Sequence, residues 1–334
     1  MSQIPSPQLV DRFGRVVDYL RLSVTDRCDF RCVYCMSDKM EFVPRQQLLT
    51  LEELAFLGRA FVELGVSRIR LTGGEPLVRR NVTELIHQLG QLVGLNELLL
   101  TTNGSQLAGV ADDLVAAGVQ RINISLDSVD PARFAAITRT GDLSSVLKGI
   151  RAAQQAGVQR IKINSVIMRG QNDDEVIPLL EFALERGLDI SFIEEMPLGD
   201  TGREDRHGQL VSSEEIRQQI SSVYSLSASA VVTPGPSRYY QIEGSNSRIG
   251  FISPNSHNFC ESCNRVRVTC EGRLLLCLGN EHSVDLRHVI RSSPGDMAAL
   301  KQAITDAMQI KPERHHFYDA DQPQVVRFMN ATGG

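Results

Sequence analysis

At 334 residues the chain is too long for a disulfide-stapled miniprotein and within reach of a single barrel with an appendage. Hydrophobic residues make up 42% and charged residues 22%, which predicts a sizeable core and argues against global disorder. The net charge of −5 argues against a nucleic-acid binder; no apolar run reaches the roughly 18–20 residues of a membrane span, and the start lacks the apolar stretch of a signal peptide. The chain reads as cytoplasmic, with no membrane or nucleic-acid partner.

Six β-type segments recur along the first 200 residues: Leu20–Val24, Arg68–Thr72, Leu98–Thr102, Arg121–Asp127, Arg160–Ile167 and Asp189–Glu194. Helical periodicity follows at 51–64, 80–93, 108–118, 144–157 and 174–187, and Gly65, Gly118, Gly157 and Gly187 are placed to end four of these helices. Strands alternating with helices imply parallel pairing through right-handed crossovers. Alternation within the strands narrows the choice. Ile69 and Leu71, Ile122 and Ile124, and Ile161 and Ile163 share one face. The other face carries Arg21 and Ser23, Arg68, Arg70 and Thr72, Arg121, Asn123 and Ser125, and Arg160, Lys162 and Asn164. A doubly wound sheet has continuous apolar strands, and a filled barrel has an apolar interior. The pattern predicts an α/β partial (β/α)6 TIM-type barrel with a polar, ligand-holding lumen.

After residue 200 the rhythm stops. Ser212–Ile220 begins as a capped helix, Leu226–Pro236 reads as a linker, Tyr239–Glu243 and Ile249–Ser253 as short strands, and Gly295–Ile310 as a final helix. This predicts an arm (1–14), a barrel (15–225), a C-terminal α+β extension (226–318) and a tail (319–334).

Seven cysteines in a chain without an export signal point to metal or cluster ligation rather than disulfides. Cys28, Cys32 and Cys35 lie within eight residues, just past the first strand. Three thiolates hold an iron–sulfur cluster from one side and leave one iron open to chelation; zinc would want a fourth ligand that no neighbouring residue supplies. Farther on, Cys260 and Cys263 precede a hairpin, Asn264–Leu278, that turns at Glu271–Gly272. Its return brings Cys277 back to them and leaves Cys270 near the turn. A four-thiolate zinc site using Cys270 is the alternative. Arg265 and Arg267, two apart on one strand face, point at whatever this site holds. Of the 35 basic residues 30 are Arg; codon usage accounts for most of the excess, but the guanidinium fork suits phosphate.

The loop Cys28-x-x-x-Cys32-x-Tyr34-Cys35 resembles the signature of the radical S-adenosylmethionine (SAM) superfamily. Together with Thr25-Asp-Arg-Cys28, Thr72-Gly-Gly-Glu-Pro76, Thr101-Thr-Asn-Gly104, Phe192-Ile-Glu-Glu-Met196, the C-x2-C-x13-C run ending at Cys277 and the terminal Gly333-Gly334, the chain resembles the MoaA family over essentially its whole length. These are the GTP 3',8-cyclases of molybdenum cofactor biosynthesis.

The resemblance implies two [4Fe-4S] clusters, on Cys28, Cys32 and Cys35 and on Cys260, Cys263 and Cys277. It places SAM against the first, with Tyr34, Gly74, Ser125 and Met196 as its contacts. GTP would lie at the second, contacted by Arg21, Arg68, Arg70, Thr101, Lys162, Arg265, Val266 and Arg267. Arg265 and Arg267, with Gly333 and Gly334, would assist catalysis. The implied reaction abstracts the C3' hydrogen of the ribose and joins C3' to guanine C8. An electron donor, the next pathway enzyme (cyclic pyranopterin monophosphate synthase) and a homodimer are the implied partners. Ser191 stands where the family commonly has Arg, Cys270 where Ser is usual, and Ala331-Thr332 replace a bulkier pair. Two other functions compete: a radical SAM peptide maturase with an auxiliary cluster, and a zinc-stabilised binding module. His315 and His316 take no role and are expected at an exposed junction.

Overall fold

The computed structural model describes residues 8–37, 39–201, 210–231, 233–257, 259–315, 317, 325 and 327–333. Its frame is six parallel strands: β1 (Tyr19–Ser23), β2 (Arg68–Thr72), β3 (Glu97–Thr102), β4 (Val119–Ser125), β5 (Arg160–Ile167) and β6 (Asp189–Glu194). They pair in sequence order, so the expected partial barrel is the observed fold.

Local chemistry explains the crossover helices. Leu51–Glu63 starts on a reciprocal capping box between Thr50 and Glu53, and Leu143–Gln155 starts on Asp142, which accepts from the backbone of Ser144 and Ser145. The apolar sides of the strands, Leu20 and Leu22, Ile69 and Leu71, Ile122 and Ile124, and Ile163, are fully buried in one continuous core. Each such side chain contributes about 1.5–3 kcal/mol. A one-residue slip of β1, β2, β4 or β5 would turn its arginines into that core, so burial fixes their register.

The chain adds an unexpected helix, Pro131–Thr138, between β4 and Leu143–Gln155. Its Asp130 cap and first-turn proline are helix-start signals, but eight residues are too few to show a helical period.

The C-terminal strands extend both edges of the barrel sheet. These are β7 (Leu226–Ala228), β8 (Arg238–Ile242), β9 (Ile249–Ile252), β10 (Arg265–Val268), β11 (Arg273–Leu275) and β12 (Ser283–Asp285). β9 pairs parallel with β6 and carries β8 and β7; β10 pairs parallel with β1 and carries β11 and β12. The segment expected to be a linker therefore holds a strand, β7, whose Leu226 lies opposite Ile242. Three residues are too few to show a period.

One consequence positions the site. Because β10 lies beside β1, Arg267 faces Arg21, which faces Arg70, in one rung across three neighbouring strands. Arg160, expected on the same polar face, instead pairs with Asp189 at 3.3 Å, half-exposed at the start of its strand.

A candidate active site of two neighbouring cavities

The lumen holds two cavities. The smaller, about 100 Å³, sits at the carboxyl ends of β1 to β4, where the loops of a barrel place chemistry. Cys28, Cys32 and Cys35 line it together with Tyr34, Gly73, Gly74, Thr101, Ser125 and Asp127. The larger, about 190 Å³, opens toward the amino ends of the strands. Its walls bring together Arg21, Arg68, Arg70 and Lys162 with Cys260, Cys263, Arg265, Val266, Arg267 and Cys277. Met329 borders both. Cys270 borders neither; it is buried, and its carbonyl accepts from Leu49 N–H.

Burial and neighbouring acidic groups push the first trio up: Cys28 and Cys32 well above a free thiol and Cys35 to about 12. Without a cation these thiols stay protonated, which is the chemistry of ligands that ionise on metal binding. Among the described residues, no group of three or more His, Cys, Asp or Glu side chains converges on a single-ion position. Each trio lines one cavity, and in a cubane each of three thiolates takes a different iron.

The loop bearing Cys28 is held by close backbone contact. Gly74 N–H donates to the Thr25 carbonyl at 2.7 Å, and Glu75 N–H to the Arg27 carbonyl at 2.8 Å. A Cβ on Gly73 would stand 2.6 Å from the Thr25 oxygen, and one on Gly74 would collide with the Arg27 carbonyl. Both glycines are thus required by the approach of the cysteine loop, beyond any exposure of backbone to a ligand. Asn103 joins the two loops, donating from Nδ2 to Asp29 at 2.6 Å. Tyr34 donates its hydroxyl to Asp127 at 2.8 Å; Asp127, which also accepts from Val166 N–H, was not singled out by sequence because it reads as the polar end of a strand.

In the larger cavity cations crowd one another. Arg21 is held well below the usual guanidinium range by burial and then by Arg267; Arg267 itself falls to about 10 through burial and Arg265. Lys162 is lowered by burial and by Arg70. Burial opposes ionisation of Tyr19, but Arg70, Arg21 and Arg265 outweigh it, and its hydroxyl accepts from Arg70 Nε at 2.6 Å. Stacked like charges in a buried lumen define an anion site. Arg68 differs: it is tied to Asp18 and, at 2.8 Å, to Glu97. Its charge is already matched.

Other expected residues are placed differently. Thr101 borders the smaller cavity and accepts from Arg70 at 3.5 Å, at the seam between the two. Met196 borders the larger cavity rather than the smaller. Ser191 is buried with its Oγ 3.0 Å from that of Ser237, and a Cβ on Gly250 would collide with both hydroxyls, so no arginine fits at 191 in this packing. His315 is half-buried on the larger cavity's wall, its ring 4.4 Å from that of Phe317, rather than at an exposed junction. His316 and Gly334 lie outside the described residues.

The tail is tucked in. The short helix Met329–Thr332 buries Asn330 and Thr332; Asn330 Nδ2 donates to the Asp26 carbonyl at 2.9 Å. Gly333 has φ 78°, and its carbonyl accepts from Arg267.

A partial barrel with a thiol trio at its strands' carboxyl ends defines a radical SAM enzyme, and the Radical SAM superfamily model matches residues 22–183. The Molybdenum Cofactor Synthesis C model matches residues 188–317. The chain is 60% identical over 327 residues to a GTP 3',8-cyclase of Ectopseudomonas mendocina, covering 98% of this chain and 99% of that one. It is 57% identical over 326 residues to the enzyme of that name from Saccharophagus degradans, covering 98% of each. The chain belongs to the GTP 3',8-cyclase family of molybdenum cofactor biosynthesis. Among solved structures, Streptococcus suis SuiB bound to precursor peptide SuiA superposes with a TM-score of 0.63 at 14% identity, over 90% of this chain and 67% of that one. That likeness shows the shared fold.

Proposed function

We propose that the two cavities divide the cyclisation of GTP between them. The smaller holds a [4Fe-4S] cluster on Cys28, Cys32 and Cys35 with SAM beside it, and the larger holds GTP against a second cluster on Cys260, Cys263 and Cys277. The observation that carries this reading is that the two thiol-lined cavities share a wall residue, Met329, with the Arg267–Arg21–Arg70 rung lining the larger.

Held by the first trio, a cluster and SAM would supply a hydrogen-abstracting 5'-deoxyadenosyl radical at the expense of one electron from the donor. The chain's own residues do the rest. Tyr34, held by Asp127, Gly74 and Ser125 shape the SAM pocket. Arg21, Arg70, Lys162, Arg265 and Arg267 neutralise the triphosphate's roughly four charges, and each such charge-assisted bond is worth more in a buried lumen than in water. Val266 offers backbone between the two arginines, and Thr101 and Met196 stand on the walls where the cavities meet the substrate. The tail closes the seam, and Gly333 with Gly334 lets it do so without side chains that would compete for the radical. The product is (8S)-3',8-cyclo-7,8-dihydroguanosine 5'-triphosphate, formed by loss of the ribose C3' hydrogen atom to the 5'-deoxyadenosyl radical, attack of C3' on guanine C8, and uptake of one further electron, from the electron donor, and a proton that quench the resulting guanine radical.

The reading adds an electron donor, a homodimer and, as a partner, the next pathway enzyme, cyclic pyranopterin monophosphate synthase, in the cytoplasm. Among the described residues, no helix is long and apolar enough to cross a membrane. The test is anaerobic reconstitution followed by assay with reductant, SAM and GTP, ATP or a peptide pool. About eight irons per chain and 5'-deoxyadenosine formed only with GTP are expected; about four irons would remove the second cluster.

A further inference from the structure

Only five of the 35 basic residues are lysines. One of them, Lys311, is 1% exposed, just past the turn Met308–Ile310 that closes the last long helix. Its ammonium donates to the main-chain carbonyls of Leu276 at 2.8 Å and Arg265 at 3.3 Å, and to Cys263 Sγ at 3.5 Å. Three donors thus meet three acceptors. Among the described residues no carboxylate pairs with it. A buried ammonium without a counter-ion is costly. The two carbonyls satisfy its hydrogens but carry no charge, so the sulfur is the one neighbour able to become an anion.

The same charge reaches the whole trio. Cys260 and Cys277 feel it as Cys263 does. The first trio has acidic neighbours instead, Asp29 beside Cys28 and Asp127 beside Tyr34. Arginine at 311 would keep the charge but not all three bonds, because its planar fork cannot point at three acceptors around one atom.

We propose that Lys311 is the fixed counter-cation of the second cluster, donating to the Cys263 thiolate and holding that cluster's reduction potential up. The inference rests on the proposed second cluster. A charge-assisted bond to a ligating sulfur favours the more negative, reduced cluster, so potential is its direct readout.

The experiment uses full-length protein with Cys28, Cys32 and Cys35 all changed to Ala, so that iron reports only the second trio, and follows the cluster by electron paramagnetic resonance during a redox titration. Lys311→Gln keeps a donor and removes the charge. It is expected to make reduction roughly tenfold harder, a negative shift of about 59 mV for one electron, at unchanged iron and circular dichroism. Lys311→Arg, which keeps the charge, should stay closer to the parent potential. A Gln variant with the parent potential overturns the proposal and leaves the second cluster standing. If the Gln variant loses its iron, retention in the Arg variant supports the charge role, and loss in both overturns it in favour of a packing strut. A parent triple variant without iron, beside native protein with about four, overturns the second cluster itself.

Discussion

Arg267 donates from Nη1 to the main-chain carbonyl of Gly333, so a residue of β10, the strand between β1 and β11, grips the penultimate residue of the chain. The same guanidinium stands in the rung with Arg21 and Arg70. It therefore acts on both the tail and the anion. Arg267→Ala is expected to raise the KM for GTP and lower turnover, a combined loss of at least about tenfold for one charge-assisted bond, with iron content unchanged. In enzyme lacking Gly333 and Gly334, the KM effect should persist while the turnover effect disappears. Full cyclase activity in Arg267→Ala would sink the assignment.

Gly333 itself is tightly specified. Its φ of 78° is one that L side chains rarely adopt, and a Cβ there would collide with Thr72 Oγ1, a buried hydroxyl with no hydrogen-bond partner. Gly333→Ala should lower turnover by roughly tenfold, from about 1–2 kcal/mol of backbone strain plus the clash. Adding Thr72→Ala relieves the clash and not the strain, so the double variant should recover part of the loss. Turnover measured across this double-variant cycle decides it; additive losses would place the collision elsewhere.

What the sequence made legible follows from how far each signal reaches. β2 alternates Arg-x-Arg against Ile-x-Leu and β5 Arg-x-Lys against Ile-x-Ile, a two-residue period read within five residues, and both are bounded as expected. The cysteine spacing is likewise local. Long-range approach leaves no such trace. Nothing near Gly73 announces that Thr25 passes 2.6 Å from where its Cβ would stand. Arg68 looks like Arg70 in sequence, yet Asp18 and Glu97 engage the first while the second holds Tyr19. Lys311, just past a helix, reads as an ordinary C-terminal cation until the fold carries it under Cys263.

Glu215 tests the outer frame of the barrel through pH. Arg169, and then the Ser212 backbone, hold its carboxyl down at about 2, and it closes the capping box of the helix Ser213–Ser221. A lowered folded value contributes stability above the unfolded pKa, about 4.3, and loses it as pH falls through about 2. Glu215→Gln should therefore be less stable than the parent at pH 7, and the gap should narrow between pH 4 and 2. Urea midpoints across that range measure it. Since the carboxyl is largely solvated, the gap at pH 7 should also shrink in high salt. A gap that is constant with pH would assign the effect to packing.

Arg15 braces the second trio from the N-terminal hairpin. It is paired with Asp11 at 2.6 Å and donates to the carbonyls of Cys260 at 2.8 Å and of Pro312 and Glu313 at 2.7 Å each. One guanidinium thus ties the hairpin, the Cys260 loop and the segment after Lys311 together. Each bond from a charged donor is worth about 1.5–3 kcal/mol when its partner is left unsatisfied. Arg15→Ala should release iron from Cys260, Cys263 and Cys277 to a chelator roughly tenfold faster, a difference of about 1.4 kcal/mol, while iron on the first trio leaves at the parent rate. Arg15→Lys should not restore it, because one ammonium cannot span carbonyls that the planar fork reaches in two directions. Iron release timed anaerobically in the Arg15 variants, with and without the first three cysteines, separates the two sites. Equal acceleration at both would mean that Arg15 supports the whole fold rather than this loop.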